Sequence, residues 1–165
     1  MLKLMPRAVI LFLLCLGFAA CSSVPAPKIE SVEILEIYPK FMEARDFKRI
    51  GEFLTGVEEL GKRTIVRSQS DNRRGFYFTL SLDQRIDRLP RGTRVIAEIF
   101  TPNKTEVQRF DIALPAKRSK SRELLFGLSG SDWPFGNERV PAAWKFSLLD
   151  PNGKLLGSAQ SYLWN

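Results

Sequence analysis

The chain contains no histidine among its 165 residues and only two cysteines, Cys15 and Cys21. Without imidazole it cannot form a histidine-based catalytic triad, a histidine-ligated metal site or a histidine general base. It also lacks a glycine-rich phosphate loop, a nucleophile-elbow pattern and an EF-hand loop. The chemistry that remains is a carboxylate pair, a serine–lysine pair or a tyrosine, and no spacing marks any of these. We therefore expect no catalytic residue, no metal site and no cofactor.

Long apolar runs are missing as well, and the longest apolar segment is the thirteen residues 8–20. A helix that crosses a bilayer needs about 20 residues, so this segment is too short to span one. Lys3 and Arg7 precede it, and two small residues end it. A basic start, a short apolar core and small residues before a cut site are typical of an export signal that is removed. We predict a cleaved signal peptide over residues 1–20.

The sequence Phe18-Ala19-Ala20-Cys21 resembles the lipobox of bacterial lipoproteins, in which a bulky apolar residue and two small ones precede an invariant cysteine. The resemblance implies that the sulfur of Cys21 receives a diacylglycerol, that the chain is cut just before it and that the new amine is acylated with palmitate. Phe18 stands where this family most often has leucine. The alternative is an ordinary signal peptide followed by a chance cysteine. Cys15 would leave with the leader, so Cys21 would have no disulfide partner.

Segment 21–28 comprises the lipidated cysteine and its tether. It indicates at which membrane the protein is anchored and how far from it the domain lies. By resemblance to lipoproteins of Gram-negative bacteria, Ser22 after the cysteine favours transfer to the outer membrane, with the domain on its periplasmic face. Two prolines favour an extended chain, and the seven residues 22–28 reach roughly 23 Å. The tether would therefore hold a domain of residues 29–165 close to the bilayer, which is the first expected partner.

Removal of residues 1–20 would leave 145 of the 165 residues, a size at which a single domain buries a substantial core. The formal charge of +7 would fall to +5, because two basic residues leave with the leader. Basic and acidic residues alternate along much of the remainder, as on a solvated surface. An exported chain does not meet nucleic acid, so we expect none as a partner. Anionic envelope polymers or lipid headgroups are candidates, and simple solubility is the alternative.

Apolar residues alternate with polar ones along much of the chain after Lys62. The alternation is clearest in segments 76–82, 94–100 and 107–114, and it predicts half-buried strands. A turn signal at 101–104 joins the second and third of these segments. They are therefore predicted to form a hairpin.

The strongest turn signal in the chain is Asp150-Pro151-Asn152-Gly153, because it combines a proline start with an Asn-Gly pair. It predicts a second hairpin between segments 140–148 and 155–164. Segment 29–38 has apolar residues on both faces, as in a first strand that passes from one sheet to the other. Segment 41–60 is read as an irregular or short-strand connection, since its glycines weaken a helix.

Seven to nine short strands separated by turns, without a long helix, predict an all-β fold, an antiparallel immunoglobulin-like β-sandwich. The closing hairpin carries an inward Trp144 and resembles the last strands of immunoglobulin-like domains. The Cys-Trp-Cys framework of antibody domains is missing, so the resemblance concerns architecture alone. An open barrel is the alternative architecture.

The segment KRSKSR is the first candidate site, because Lys117, Arg118, Lys120 and Arg122 make four of its six residues basic. These side chains could bind lipid phosphates or an acidic partner, since each cation near an anionic surface adds about 1 kcal/mol. The alternative is a solvated loop that is polar because polarity prevents edge pairing. A second polar segment, 67–74, predicts a hairpin tip whose arginines could clamp carboxylates or phosphates.

Segment 131–138, SDWPFGNE, places Trp133 and Phe135 among turn-forming residues. Exposed aromatic side chains of this kind are typical of binding hot spots, because they bury a large area with few rotatable bonds. The alternative is that both rings close one end of the sandwich. Neither alternative makes the segment a catalytic site.

Taken together, the patterns favour a lipid-anchored envelope protein that acts as a non-catalytic accessory or binding module, with another envelope protein or polymer as its partner. A second hypothesis is an enzyme that acts on glycan or peptidoglycan through two carboxylates. Asp71, Asp132 and Asp150 are the loop acids available for it. A third hypothesis is a purely structural envelope protein.

Overall fold

The computed structural model describes residues 29–102 and 104–164. The predicted signal peptide, Cys21 and the tether therefore lie outside the described residues. Within them the chain forms eight strands, one short α-helix and three 3₁₀ turns. The strands are β1 (Ile34–Met42), β2 (Thr64–Arg67), β3 (Gly75–Leu82), β4 (Arg94–Phe100), β5 (Gln108–Ala113), β6 (Glu123–Ser129), β7 (Ala143–Leu149) and β8 (Leu155–Gln160). The helix α1 is Ile50–Thr55, and the 3₁₀ turns are Ala44–Phe47, Ile86–Arg88 and Gly130–Asp132.

The strands form two four-stranded sheets. Sheet A has the order β1-β3-β6-β2 and sheet B the order β5-β4-β7-β8. Every neighbouring pair is antiparallel except β2 and β6, which are parallel. The predicted all-β sandwich of seven to nine strands is thus confirmed, whereas the prediction of a wholly antiparallel arrangement is wrong at the β2–β6 pair.

The core lies between the two sheets and is built from the alternating residues of their strands. Phe76, Phe78, Leu80 and Leu82 of β3 all face it and are buried, as the alternation predicted. The ring of Phe78 lies 5.0 Å from that of Phe146 in β7, which joins the sheets through an aromatic contact. Strand β7 begins at Ala143, so the predicted strand segment 140–148 is wrong at its start, where Val140 and Ala142 precede the strand and are exposed.

Both predicted hairpins are confirmed. Strands β4 and β5 pair in antiparallel register, and so do β7 and β8. In the turn between β7 and β8 the Asp150 carboxylate accepts the backbone N–H groups of Asn152 and Lys154, each at 2.8 Å. Gly153 adopts a φ of 83°, which glycine reaches without strain. The Asp and Gly of the turn signal therefore each have a structural role.

The first strand segment does pass between the sheets. The N–H of Val32 donates to the carbonyl of Leu156 in β8 of sheet B, at 2.8 Å. Two residues later Ile34 pairs with Leu82 of sheet A, and a register irregularity follows between Ile34 and Glu36. Ile34 and Ile37 of this segment pack against the core, whereas Leu35 and Tyr38 are 58% and 53% exposed, so contact with the sheets explains only part of its apolar pattern.

Two predictions about connections are wrong. Segment 67–74 is not a hairpin tip, because β2 pairs with β6 and not with β3. Segment 41–60 contains no extra short strand. After β1 ends it forms a 3₁₀ turn and then α1, which ends at Gly56, whose φ is 67°. The helix forms despite its glycines because this segment packs on sheet A through the buried Phe47.

The strand directions give the sandwich two distinct ends. At the Ile29 end lie the start of the described chain, loops 83–93 and 114–122, and the turn at 150–153. At the Trp133 end lie loops 68–74 and 130–142 together with the C-terminal residues. The two candidate segments, the aromatic segment 131–138 and the basic segment 117–122, therefore lie at opposite ends of the sandwich.

Candidate functional site

Trp133 closes one end of the core and is only 4% exposed. Its indole N–H donates to the carbonyl of Gly136 at 2.7 Å, and its ring lies 4.8 Å from that of Phe76. Phe135 is half-buried and stacks edge-on against Trp133 at 5.1 Å. The structure thus shows the closing arrangement for both rings. An exposed hot spot at Trp133 is wrong, because the ring completes the core.

The basic loop is held in place by contacts with its neighbours, while most of its cations are exposed. Arg118 donates to the carbonyl of Pro90 at 3.1 Å, and the N–H of Ser119 donates to Thr64 Oγ1 at 3.1 Å. Burial lowers the pKa of Arg118, and the charge of Arg91 lowers it further. Lys117, Lys120 and Arg122 remain exposed. The loop therefore presents three exposed cationic side chains on a backbone that its neighbours hold in place.

The Ile29 end as a whole is basic. Three backbone bonds fasten its parts together: Ile86 N–H to Ser121, Leu82 N–H to Arg122 and Asp83 N–H to Glu33, at 2.9, 2.9 and 3.0 Å. Loops 83–93 and 114–122 carry seven basic residues against the two acids Asp83 and Asp87. The basic residues are Arg85, Arg88, Arg91, Lys117, Arg118, Lys120 and Arg122. We call this surface the basic end.

A surface cleft of about 430 Å³ opens beside the basic end. One wall is the stretch from Glu58 to Arg63 before β2, and the other is Lys117 to Ser119 of the basic loop. Both acids and cations line it, so it has no single charge preference. Sequence reasoning missed the cleft because its walls are far apart along the chain.

The outer face of sheet A carries a partly buried charge cluster, which sequence reasoning also missed. Arg67 donates two hydrogen bonds to the Glu58 carboxylate, and its Nε donates to the Tyr77 hydroxyl at 2.9 Å. That hydroxyl in turn donates to the carbonyl of Arg73 at 2.7 Å. The Arg67 guanidinium also lies 4.9 Å from the Phe47 ring. The cluster fastens segment 43–60 to the sheet.

Burial and the contacts between the side chains together shift the pKa values of Tyr77 and Arg67. Burial raises the pKa of Tyr77, and the neighbouring Arg67 opposes this without cancelling it. Burial also disfavours the charge of Arg67, but hydrogen bonding and the charges of Glu58 and Tyr77 outweigh it and raise the pKa of Arg67. Arg67 therefore stays charged. The arginines of segment 67–74 were predicted to clamp carboxylates, and Arg67 binds a carboxylate of the same chain, that of Glu58.

Helix α1 exposes four large apolar side chains in a row. Ile50, Phe53 and Leu54 are 84%, 76% and 85% exposed, and Val57, just past the helix end, is 68% exposed. Glu52 faces the other way and pairs with Arg73 at 2.5 Å. The spacing of these residues, i, i+3, i+4 and i+7, is the sequence pattern from which this helix could have been predicted. It describes an apolar helix face, but here that face points to solvent.

The three acids considered for a carboxylate enzyme do not all lie at one end of the sandwich. Asp150 is buried in the turn at the Ile29 end, where its carboxylate accepts two backbone N–H groups. Asp71 and Asp132 lie in loops at the other end of the sandwich. Among the described residues no group of three His, Cys, Asp or Glu could hold a metal ion. In the same part of the chain no helix has the length and apolar character needed to cross a membrane.

Comparison of the chain with protein-family models, with curated proteins and with solved structures finds no significant match in any of the three.

Proposed function

We propose that the protein is a lipoprotein of the bacterial envelope, anchored through acylated Cys21, whose β-sandwich acts as a non-catalytic accessory or binding module. The observation that carries the proposal is the Phe18-Ala19-Ala20-Cys21 sequence, which is followed by a seven-residue tether and then by the domain. Two or more acyl chains on one residue make release from a bilayer negligible, since each buried methylene contributes about 0.8 kcal/mol. By resemblance to lipoproteins of Gram-negative bacteria, Ser22 favours the outer membrane, with the domain facing the periplasm.

The charge of the sandwich supports this orientation. The described chain begins at the basic end, so a tether that reaches roughly 23 Å brings those cations near the bilayer. Each lysine or arginine close to an anionic surface adds about 1 kcal/mol of attraction. Lys117, Lys120 and Arg122 would therefore meet lipid headgroups.

The order of the strands supports an immunoglobulin-like sandwich. In that fold the first, second and fifth strands form one sheet with a fourth strand beside the fifth, and the remaining strands form the other. If β2 is set aside, β1, β3 and β6 take the first, second and fifth positions, and β4, β5, β7 and β8 form the second sheet. Strand β2 then occupies the place of the fourth strand, but it runs parallel to its neighbour. We assign β2 as an added edge strand.

A non-catalytic role is supported by what the polar residues do. Asp150 shapes a turn, Arg67 and Glu58 bind each other, and the cleft beside the basic end mixes charges of both signs. These groups serve the fold, while the exposed cations and the apolar face of α1 stay available for contacts. We infer that the module works by holding or joining envelope components near the membrane, where the anchor raises its local concentration.

Metabolic labelling with a palmitate analogue tests the anchor. The wild-type chain and Cys15→Ala are expected to take up the label, whereas Cys21→Ala is expected to accumulate as an unlabelled, uncut precursor. Cys15→Ala is the matched control, since its cysteine lies inside the leader. Label in Cys21→Ala, or a free thiol at Cys21 in the mature wild-type chain, would show that the proposal is wrong. Affinity capture from cross-linked envelopes, with Cys21→Ala as the mislocalised control, would then identify the partner.

A further inference from the structure

We propose that α1 is a membrane-docking element whose apolar side chains enter the headgroup region of an anionic bilayer. The docking side chains are Ile50, Phe53, Leu54 and Val57. The inference rests on the proposed lipid anchor, which would keep this surface close to a membrane. It adds a second, non-covalent contact through which the sandwich would lie on the bilayer with the outer face of sheet A toward the lipid.

The exposure of this apolar face is the first observation behind the proposal. All four side chains are more than two-thirds exposed. They lie within eight consecutive residues, about two helical turns, so they form one patch and are not scattered singly over the surface. Apolar helix faces with phenylalanine and leucine, bordered by lysine and arginine, are typical of elements that bind at a bilayer interface.

The charges around α1 fit an anionic lipid surface. Lys48 and Arg49 lie just before the helix and are exposed, and the Lys48 ammonium is 6.0 Å from the centre of the Phe53 ring. The acids of the helical stretch face inward, because Glu52 pairs with Arg73 and Glu58 pairs with Arg67. Glu59 is exposed beside them. The outward surface thus combines apolar side chains with the cations Lys48 and Arg49 and with the acid Glu59.

The apolar face also runs into the basic end. The stretch Glu58–Arg63, which directly follows Val57, forms one wall of the cleft, and Lys117 and Arg118 form the other. Lys62 and Arg63 are exposed in that stretch. A bilayer that contacts the basic end can therefore contact α1 without a gap between the two surfaces. This continuity favours a lipid surface over a separate protein partner or a second copy of the chain.

Site-specific fluorescence in vesicles tests the docking. The full mature chain with its native anchor is reconstituted in vesicles of phosphatidylethanolamine and phosphatidylglycerol, some with brominated acyl chains. Leu54→Cys and Ser158→Cys each carry an environment-sensitive dye on the new thiol. Leu54 is in the apolar face, and Ser158 is an exposed residue of β8 in sheet B, on the other side of the sandwich. The wild-type chain is treated with the same dye, since an acylated Cys21 has no free thiol to react.

The expected result is a blue shift and loss of most of the emission at Leu54→Cys in brominated vesicles, with no change at Ser158→Cys. In vesicles of phosphatidylethanolamine and phosphatidylcholine the loss at Leu54→Cys is expected to shrink, because the flanking cations then have no anionic counterpart. The dye on Leu54→Cys thus reports both the lipid contact and its dependence on charge.

The other outcomes separate the two proposals. If the chain floats with the vesicles and the wild type takes no dye, but Leu54→Cys is quenched no more than Ser158→Cys, the anchor stands and the docking is wrong. If Leu54→Cys is shielded from aqueous iodide but not quenched by bromolipid, protein covers the face, and the docking is again wrong. If the wild type reacts at Cys21 and stays off the vesicles, both the anchor and the docking that rests on it are overturned.

Discussion

Arg67 and Glu58 form a two-bond ion pair on the outer face of sheet A, with nitrogen–oxygen distances of 3.0 and 2.7 Å. The pair joins strand β2 to the stretch that follows α1. The Arg67 side chain is only 7% exposed, so its guanidinium depends on Glu58 and Tyr77 for bonds that water cannot supply. The pair therefore fixes how the segment carrying α1 lies on the sheet.

Replacing both partners of this pair is expected to cost less stability than the two single replacements cost in sum. Glu58→Leu alone leaves a charged guanidinium nearly buried without its carboxylate, which costs about 3 kcal/mol of unfolding free energy. Arg67→Met in the same chain removes that charge as well. We expect the double variant to be less destabilised than the sum of the two single variants, as measured by urea unfolding.

Asp111→Ala is the matched control for the pair, since Asp111 binds Arg94 in an ion pair at the surface. Exposed pairs contribute at most about 1 kcal/mol, so this variant is expected to be close to wild type. Additivity of Glu58→Leu and Arg67→Met within about 0.5 kcal/mol would contradict coupling between the two side chains.

Alkaline pH is expected to destabilise the fold through Tyr77. Burial raises the pKa of this tyrosine in the folded state, so the folded chain holds the proton more tightly than the unfolded chain. Its contribution is complete below the unfolded pKa of about 10 and is lost as the pH rises from there through the higher folded pKa. Tyr77→Phe is expected to be less stable at neutral pH but to lose less stability between pH 9 and the alkaline limit, as a urea-unfolding series on both proteins would show. If the stabilities of the two proteins fell in parallel as the pH rises, this prediction would be wrong.

Trp133→Ala is expected to destabilise the domain by about 3–5 kcal/mol, because it opens a cavity at the end of the core. Thermal or urea unfolding measures the loss. Val140→Ala serves as the control, since Val140 is an exposed apolar residue in the same loop region and should change stability by about 0.5 kcal/mol or less. Wild-type stability in Trp133→Ala would instead indicate that the ring is kept for contact with another molecule.

The parts of the fold that sequence reasoning reached are those formed by local contacts. The β4–β5 and β7–β8 hairpins follow from alternation and from turn residues between neighbouring strands, such as Asn152 and Gly153. The passage of the first segment between sheets was predicted from apolar residues on both its faces, although Leu35 and Tyr38 are exposed. In the two hairpins the residues that give the signal also make the contact.

The parts that sequence reasoning missed depend on contacts across long stretches of chain. The parallel pairing of β2 with β6 joins Ile65 to Leu125, and no short-range pattern encodes it. Helix α1 was missed because Gly51 and Gly56 lower helix propensity, whereas Phe47 and the Glu58–Arg67 pair hold the segment on sheet A. Packing outweighs propensity there.

The candidate sites show the same difference between what the local sequence indicates and what long-range contacts determine. The basic composition of segment 117–122 was plain in the sequence, but its union with loop 83–93 into one basic end appears only in the fold. The aromatic character of Trp133 was equally plain, while its burial depends on Phe76 in a distant strand. Composition therefore located the charges and rings, and topology decided which of them face solvent.

The basic end is expected to be shielded by an anionic membrane in the anchored protein. Trypsin should cut after Lys117 and Lys120 about tenfold more slowly in phosphatidylglycerol-containing vesicles than in neutral ones, because several cations each add about 1 kcal/mol of attraction to the headgroups. Arg139 is exposed in the loop at the opposite end, so its cleavage is expected to be equal in both vesicles. Fragment masses at successive times measure the two rates.

Raising the salt to about 1 M should remove the difference at the lysines, since the Debye length then falls to about 3 Å. Protection that survives high salt, or that extends equally to Arg139, would show that something other than headgroup charge covers this end.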